Sequence, residues 1–496
     1  MKKIITALIL ALVLAALPSC AGGDEKTGEN PKSPGAGEAE GQNEEARSEE
    51  DKLAEYDFGG AEIRVLTSIN ASDGTITNSN YMIEGTGKIN GEIVNDAVHQ
   101  RNMDVENLLN VKFKYTQMNE DYGTVQSSIS KLMLSGADDY DLIINDLRSL
   151  VNLSVQGMFL NIKDNGVFDL NQNYWYGDFM EDVAIGKQKA FILAGDYFID
   201  ILRNSHALFL NKTMLETENP GGSDELYKKV IDGKWTLDEF SALTKSFVKD
   251  LNGDGEYKNA DDRFGFICVG TWGSAIPFMM AANTGVFTKD GDGIPSLSIN
   301  NPKSMQLHEG LSKLFLESDS GAKSTFTLEQ LIPQFMSGRS LMVGYQRLAQ
   351  LEDLRVMEDE VSILPYPKLS AEQEKYITSS HDTIEVGVIP TTSPNFGMTG
   401  VVLEGLNRET KKTVIPAYYE ISLKIKYARD DMSYQIIDLI HDSMDNVFPL
   451  AYSELINGLL GLYDVGATKN FISSYEKIEA KAQVKLEEVI EKYMGL

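Results

Sequence analysis

Asp250-Leu251-Asn252-Gly253-Asp254-Gly255-Glu256-Tyr257-Lys258-Asn259-Ala260-Asp261 is the stretch of this chain best fitted to chemistry. It sets side-chain oxygens at positions 1, 3 and 5, glycine at 6 and a carboxylate at 12, the spacing of an EF-hand-like calcium loop. Gly255 lets the backbone turn sharply so that alternate side chains converge, and Glu256 would offer its carbonyl. Asp261 stands where a bidentate glutamate is usual, and Asp262 could take that part. The expectation is a structural Ca2+ at Asp250, Asn252, Asp254, Glu256, Asp261 and Asp262, with a polar turn as the alternative. Asp290-Gly291-Asp292-Gly293 lacks the later carboxylate and reads as a hairpin turn.

Catalytic constellations are hard to find. His99, His206, His308, His381 and His441 are scattered, with no metal-spaced pair. His381-Asp382 is adjacent but has no nucleophile elbow nearby, so it reads as a loop pair. No phosphate-binding glycine loop occurs, while 74 acids leave paired carboxylates for glycoside hydrolysis open. Aromatic residues outside clear apolar stripes are candidates for binding a ring with apolar C–H faces, such as a sugar. These are Tyr81, Tyr174, Trp175, Tyr176, Tyr197, Trp272 and Tyr345, and Trp272 between glycines suits an irregular cleft segment. Asp196 and Arg203 share the polar stretch around Tyr197, and Asp146 ends an apolar strand. For each of these the bland reading is core packing or a helix cap.

The elements that would position such groups follow from periodicity. Residues 61–67 alternate as a strand, and 90–110 carry apolar residues at helical spacing. A strand at 111–115, a helix at 125–134 and a strand at 140–144 complete an alternating pattern that points to an open, largely parallel sheet. Ligands on such sheets bind beyond the carboxyl ends of strands, here Asn145, Asp146 and Leu147. Thr236 and Glu239 stand at capping-box spacing. Residues 336–344 read as a turn into a strand, and 361–366 and 384–390 as strands that return to the first sheet. The last 85 residues read as mostly helical, with one stripe through Phe471, Tyr475, Ile478, Ala482, Leu486, Val489 and Tyr493.

Composition narrows the function classes. The formal charge is −29, which repels nucleic acid and anionic lipid. Met1-Lys2-Lys3 and the apolar run Ile4 to Leu17 read as a secretory signal peptide, too short to span a bilayer. Leu17-Pro18-Ser19-Cys20 resembles the lipobox of bacterial lipoproteins, which implies a lipid on the Cys20 thiol. From Ala21 to about Asp51 the chain is too polar to repay its ordering entropy and reads as a disordered acidic linker. Only Cys20 and Cys268 exist, so a lipidated Cys20 leaves no internal disulfide.

Several pieces, in their order, carry a wider likeness: Asn95-Asp96-Ala97-Val98 with Arg101-Asn102, Asp139-Tyr140-Asp141-Leu142, Gly157-Met158-Phe159-Leu160, and Phe209-Leu210-Asn211-Lys212. Gly233-Lys234-Trp235-Thr236, Asp250 to Gly265, Leu364-Pro365-Tyr366-Pro367-Lys368 and Pro416-Ala417-Tyr418-Tyr419-Glu420 follow. With these the chain resembles the extracellular solute-binding lipoproteins of ABC importers, in particular carbohydrate-binding ones of Gram-positive anaerobes. Some relatives in that family hold calcium in such a loop.

The resemblance implies an α/β, periplasmic-binding-protein-like fold, with two lobes joined by crossing hinge strands around a ligand cleft. It divides the chain into signal peptide 1–19, anchor and linker 20–55, first part of lobe 1 at 56–165, first part of lobe 2 at 166–344, lobe 1 return at 345–410 and helical C-terminal part of lobe 2 at 411–496. It implies a non-enzymatic monomer on the extracellular face of the cell membrane, anchored by lipid only, that gives a small solute, an oligosaccharide, to ABC permease subunits. The expected ligand residues are Trp272, Tyr197, Asp196, Arg203, Tyr81, Trp175, Asp146 and Tyr345. The alternatives are a cell-surface glycoside-processing enzyme and a sensory lipoprotein coupled to a membrane kinase.

Overall fold

The computed structural model describes residues 52–68, 80–120, 124–257, 261–270, 274–317, 319–381, 383–424, 431–445, 447–463 and 470–496. Cys20, the signal peptide and nearly all of the linker lie outside the described residues, as does Trp272. Tyr81 falls in a short helix, but its side chain is outside the described part.

The alternating N-terminal pattern folds as expected. β1 (Ala61–Ser68) pairs in parallel with β2 (Val111–Met118) and with β3 (Leu142–Asp146). The helix Ile93–Leu109 connects the first two, opened by Glu92 accepting from the Asn95 N–H and closed by Asn110 at φ 51°. Asparagine tolerates that left-handed turn because its short side chain bonds locally. The helix Val125–Ser135 ends on Gly136 and leads to β3.

A second sheet has the order β10, β4, β9, β5, β8. Its strands are β4 (His206–Asn211), β5 (Phe264–Val269), β8 (Ala322–Phe326), β9 (Ser340–Arg347) and β10 (Val361–Leu364). β6 (Phe287–Lys289) and β7 (Pro295–Leu297) form a separate hairpin, turned by Asp290 as its sequence suggests. Beneath the second sheet, Phe240, Phe266, Phe278 and Tyr366 meet edge to face. Aromatic pairs favour that geometry because a ring's positive edge meets its neighbour's negative face.

Two expectations need correction. Residues 384–390 do return to the first sheet, as β11 (Glu385–Val388) antiparallel to β3. Residues 361–364 do not: β10 pairs with β4, and the Trp235 indole N–H holds the following Pro365 carbonyl at 3.1 Å. β9 and β10 therefore both belong to the second sheet, and the return comes after Leu364 rather than at 345. An apolar run states that a strand is buried on both faces, not which sheet edge it joins. The C-terminal part also differs, for it packs on both sheets' helices. The helix Ile415–Lys424 lies on Ile93–Leu109, and Phe448–Tyr452 lies on Leu147–Ser154. Asp431–Asp442 packs instead against β10 and the helix Gly222–Ile231.

The chain passes between the sheets along two neighbouring segments. The outward one runs through the helix Asp200–Arg203 into β4, and the inward one through Tyr376 to Ile384 into β11. They are stitched together: Ser205 bridges Ser380, His206 N–H donates to the Ser379 carbonyl, and His381 N–H donates to the Asn204 carbonyl. Among the described residues no helix is long and apolar enough to cross a membrane.

Candidate functional site

Where the crossings meet the sheets, polar groups concentrate. β11 opens on Glu385, whose register partner on β3 is Asp146. The Glu385 N–H donates to Asp200 at 3.0 Å, and Asp200 lies 3.7 Å from Arg203. From the second sheet, His206 begins β4 opposite Arg347, and Gln346 stands opposite Ala207. His206 bonds Ser379 at 3.0 Å through Nδ1, and its ring stacks on Tyr345 at 5.7 Å. The Tyr345 hydroxyl approaches His381 Nε2 at 3.5 Å.

Several of these groups are buried yet incompletely bonded. Glu385 is 2 % exposed, and neither of its carboxyl oxygens has a hydrogen-bond partner. Arg203 Nε, Asn204 Oδ1, His206 Nε2, Gln346 Oε1 and Ser380 Oγ are in the same condition. An unbonded buried polar atom costs about 1–3 kcal/mol, so a cluster of them is a place where something else supplies the bonds. Burial, then Asp200 and Asp146, push the Glu385 carboxyl well above its ordinary range, with Arg203 opposing. Burial, His381 and Arg347 hold the His206 imidazole well below its own, so it is neutral at pH 7. The set mixes donors and acceptors, with the Tyr345 ring beside His206 and His381. It suits a ligand whose groups both give and accept hydrogen bonds, as hydroxyls do.

Asp146 borders this cluster on the first sheet's side. Its carboxylate caps the helix Leu147–Ser154 through the Ser149 N–H at 3.0 Å, the bland role weighed for it. It also lines a polar cavity of about 550 Å³ with Gln126, Ser130, Ser149 and the Arg148–Glu454 ion pair.

Of the ligand residues expected from sequence, Asp146 and Arg203 lie beside Glu385, and Tyr345 lies beside His206 and His381, all where the crossings meet the sheets. Trp175, Asp196 and Tyr197 do not join them. Trp175 is in the core, edge-on to Phe168, with its indole N–H on Glu404 at 3.0 Å. The Tyr197 ring lies under the Arg101 guanidinium at 4.8 Å. Asp196 accepts from Tyr176 at 2.9 Å and contacts His441 at 3.3 Å. A polar stretch rich in tyrosine looks the same from sequence whether its hydroxyls meet a ligand or a buried acid. Glu385, His206, His381 and Gln346 were not singled out for ligand. The available signal was a lone acid opening the apolar run Glu385-Val386-Gly387-Val388.

The His441 contact gives a pH prediction. Burial lowers the imidazole's pKa, but Asp196 and Asp442 outweigh it and raise it to about 9. A folded pKa above the unfolded value means the contribution is complete below about pH 6.5 and disappears as pH rises through about 9. The melting temperature should fall from pH 7 to pH 10, and His441→Gln should flatten that fall. Equal slopes for the two proteins would contradict the assignment.

In the calcium-like loop, Asp250 accepts from the Gly253 and Gly255 N–H groups at 2.6 and 2.9 Å. Asp262 accepts from the Leu251 N–H at 3.2 Å, and its other oxygen is buried with no hydrogen-bond partner. Reciprocal backbone bonds between Lys249 and Arg263 close the loop's base. Asp261 offers its carbonyl to Arg339. Among the described residues no three His, Cys, Asp or Glu side chains converge as a metal cluster.

No family model matches the sequence, and no curated protein matches it. Solved structures do share the fold. An ABC transporter solute-binding protein from Thermotoga lettingae, bound with alpha-D-tagatose, superposes at a TM-score of 0.50 with 13 % identity, over 87 % of this chain and 100 % of that one. An ABC substrate-binding protein from Listeria monocytogenes, in complex with cycloalternan, does so at 0.50 with 12 % identity, over 88 % and 100 %. The fold is therefore α/β and periplasmic-binding-protein-like, with two lobes.

Proposed function

We propose that this chain is an extracellular solute-binding receptor that captures a sugar where the two crossings meet and delivers it chemically unchanged to an ABC permease. The observation that carries the reading is the set of unbonded buried atoms on Arg203, Asn204, His206, Gln346, Ser380 and Glu385 along the crossings, with the Tyr345 ring against His206. Hydroxyls of a sugar satisfy donors and acceptors alike, and its apolar face suits a tyrosine. The tagatose and cycloalternan held by the two structural neighbours support that ligand class. Hinge rotation about neighbouring crossings is a standard way to enclose such a ligand. The lipobox-like Leu17-Pro18-Ser19-Cys20 supports a lipid tether at the outer membrane face, with the acidic linker holding a monomeric globule clear of the surface.

A thermal-shift panel of D-tagatose, cycloalternan, maltotriose, cellotriose and xylotriose tests the reading. At a hundredfold excess over its dissociation constant, a true ligand adds about 2.7 kcal/mol of stability. A rise with one sugar, recovered intact afterwards, is the expected result. No rise with any member, or recovery of cleaved sugar, would count against it.

The loop at Asp250 extends the proposal to a structural Ca2+. Asp250, Asn252, Asp254 and the buried, half-bonded Asp262 would hold it, with the Glu256 carbonyl, and the ion would neutralise their charge and fix the loop. Calorimetry on chelator-stripped protein should give saturable heat in the range of about 10⁻⁴–10⁻³ M or tighter. Asp262→Asn should weaken it. Absence of heat at millimolar calcium would leave a polar turn.

A further inference from the structure

Tyr345 is held in a conformation its side chain disfavours. Its φ is 58°, the left-handed region in which a bulky residue is an outlier. The cause is a bulge in β9. Ala207 pairs with Gln346 and Phe209 with Val343, so Gly344 and Tyr345 together face the single residue Leu208. Such a bulge removes an N–H from the strand ladder and re-aims a side chain, and bulges recur beside functional sites. Here the displaced N–H of Tyr345 is not lost. It donates to the hydroxyl oxygen of Tyr366 at 2.7 Å.

Tyr366 itself has little freedom. It is 4 % exposed and stands edge-on to Phe278 at 4.9 Å. Gly344 completes the fit: a Cβ there would come within 2.5 Å of the Phe266 ring and 3.0 Å of the Tyr366 hydroxyl. The bulge, the glycine and the phenol are one construction, and its product is the direction of the Tyr345 ring. That ring, half-buried where its neighbours are buried, lies against His206 and His381 at the junction.

We infer that Tyr366 is a positioning residue for ligand capture: its hydroxyl accepts the bulged Tyr345 N–H and so fixes the Tyr345 ring as the flat wall of the sugar site. The inference rests on the receptor reading above. Without that acceptor, a buried N–H is left unbonded and the strained turn loses its support, so the ring no longer has one fixed orientation.

Tyr366→Phe keeps the ring against Phe278 and deletes only the oxygen. Its affinity for the panel sugar that most stabilises the wild type should fall about tenfold, about 1.4 kcal/mol, while the protein still melts cooperatively. In a Tyr345→Ala background the same change should cost affinity nothing further. A merely structural tyrosine would lower the melting temperature and leave the folded protein's affinity alone. That result, unchanged affinity in Tyr366→Phe, overturns the assignment.

A second readout needs no ligand. At positive φ glycine is favoured over alanine, so Tyr345→Gly should melt above Tyr345→Ala. The gap should shrink once Tyr366→Phe releases the turn. If no sugar on the panel binds the wild type, the receptor reading fails on its own. The glycine–alanine gap then decides the latch, and a gap indifferent to Tyr366 overturns it.

Discussion

Asp141→Ala is expected to cost the fold about 3–5 kcal/mol, the range seen when one partner of a buried ion pair is removed. Asp141 is fully buried just before β3 and binds Arg64 of β1 through both carboxyl oxygens, at 2.7 and 2.9 Å. It also accepts from the Arg64 N–H, the Ser393 hydroxyl and the Asn395 amide at 2.9–3.0 Å. One carboxylate thus joins β1, the start of β3 and the segment that leaves β11. Its loss leaves these donors facing a void. Burial alone would raise its pKa, but Arg64 and then Asn395 and Ser393 outweigh that and hold it below 3.8. A depressed folded pKa contributes stability that is present above about pH 4 and lost as pH falls further. Chemical denaturation at pH 7 should show the loss. Asp141→Asn should flatten the acid limb of the stability profile. A change under 1 kcal/mol would contradict this account of the lobe's construction.

Truncating the aromatic wall is expected to have the largest effect on capture. Tyr345→Ala should weaken the bound sugar by about thirtyfold, about 2 kcal/mol, the scale of an aromatic hot-spot residue. His206→Phe keeps a ring of similar shape beside Tyr345 but removes the Nε2 that has no hydrogen-bond partner and the bond to Ser379. It should cost about tenfold, since a hydroxyl then meets no partner. Isothermal titration with the selected sugar checks both. Trp175→Phe offers the contrast: it breaks the indole bond to Glu404 in the core and should reduce stability while leaving affinity nearly unchanged. An affinity loss in Trp175→Phe with none in Tyr345→Ala would reverse the assignment of the site.

Sequence reasoning was reliable where one element declares itself. The strand at 61–67, the helix at 93–109 and the stripe Ala482, Leu486, Val489, Tyr493 are local patterns that appear in the structure, although Leu66 is buried along with Val65, Ile93 is exposed, and Phe471 and Tyr475 of the stripe fall on a separate short helix. Assigning strands to sheets was harder. Val361–Leu364 and Glu385–Val388 are both short apolar runs, and only pairing reveals that one extends β4 and the other β3. The candidate site was legible in part for the same reason. Asp146 followed from the rule that ligands lie beyond strand ends, and Tyr345 from its place outside an apolar stripe. Glu385 meets Asp200, and His206 meets Ser379, only because two segments far apart in sequence cross side by side. The bulge that turns Tyr345 depends on Leu208, more than a hundred residues earlier, so no window of sequence contains it.

The most direct test is a crystal structure of the protein soaked with the sugar that most raises its melting temperature. Intact sugar should lie at the crossings, its ring against Tyr345 and its hydroxyls within hydrogen-bond distance of Glu385, His206 or Gln346. Sugar bound elsewhere with those groups still unbonded, or a cleaved fragment in the density, would contradict it.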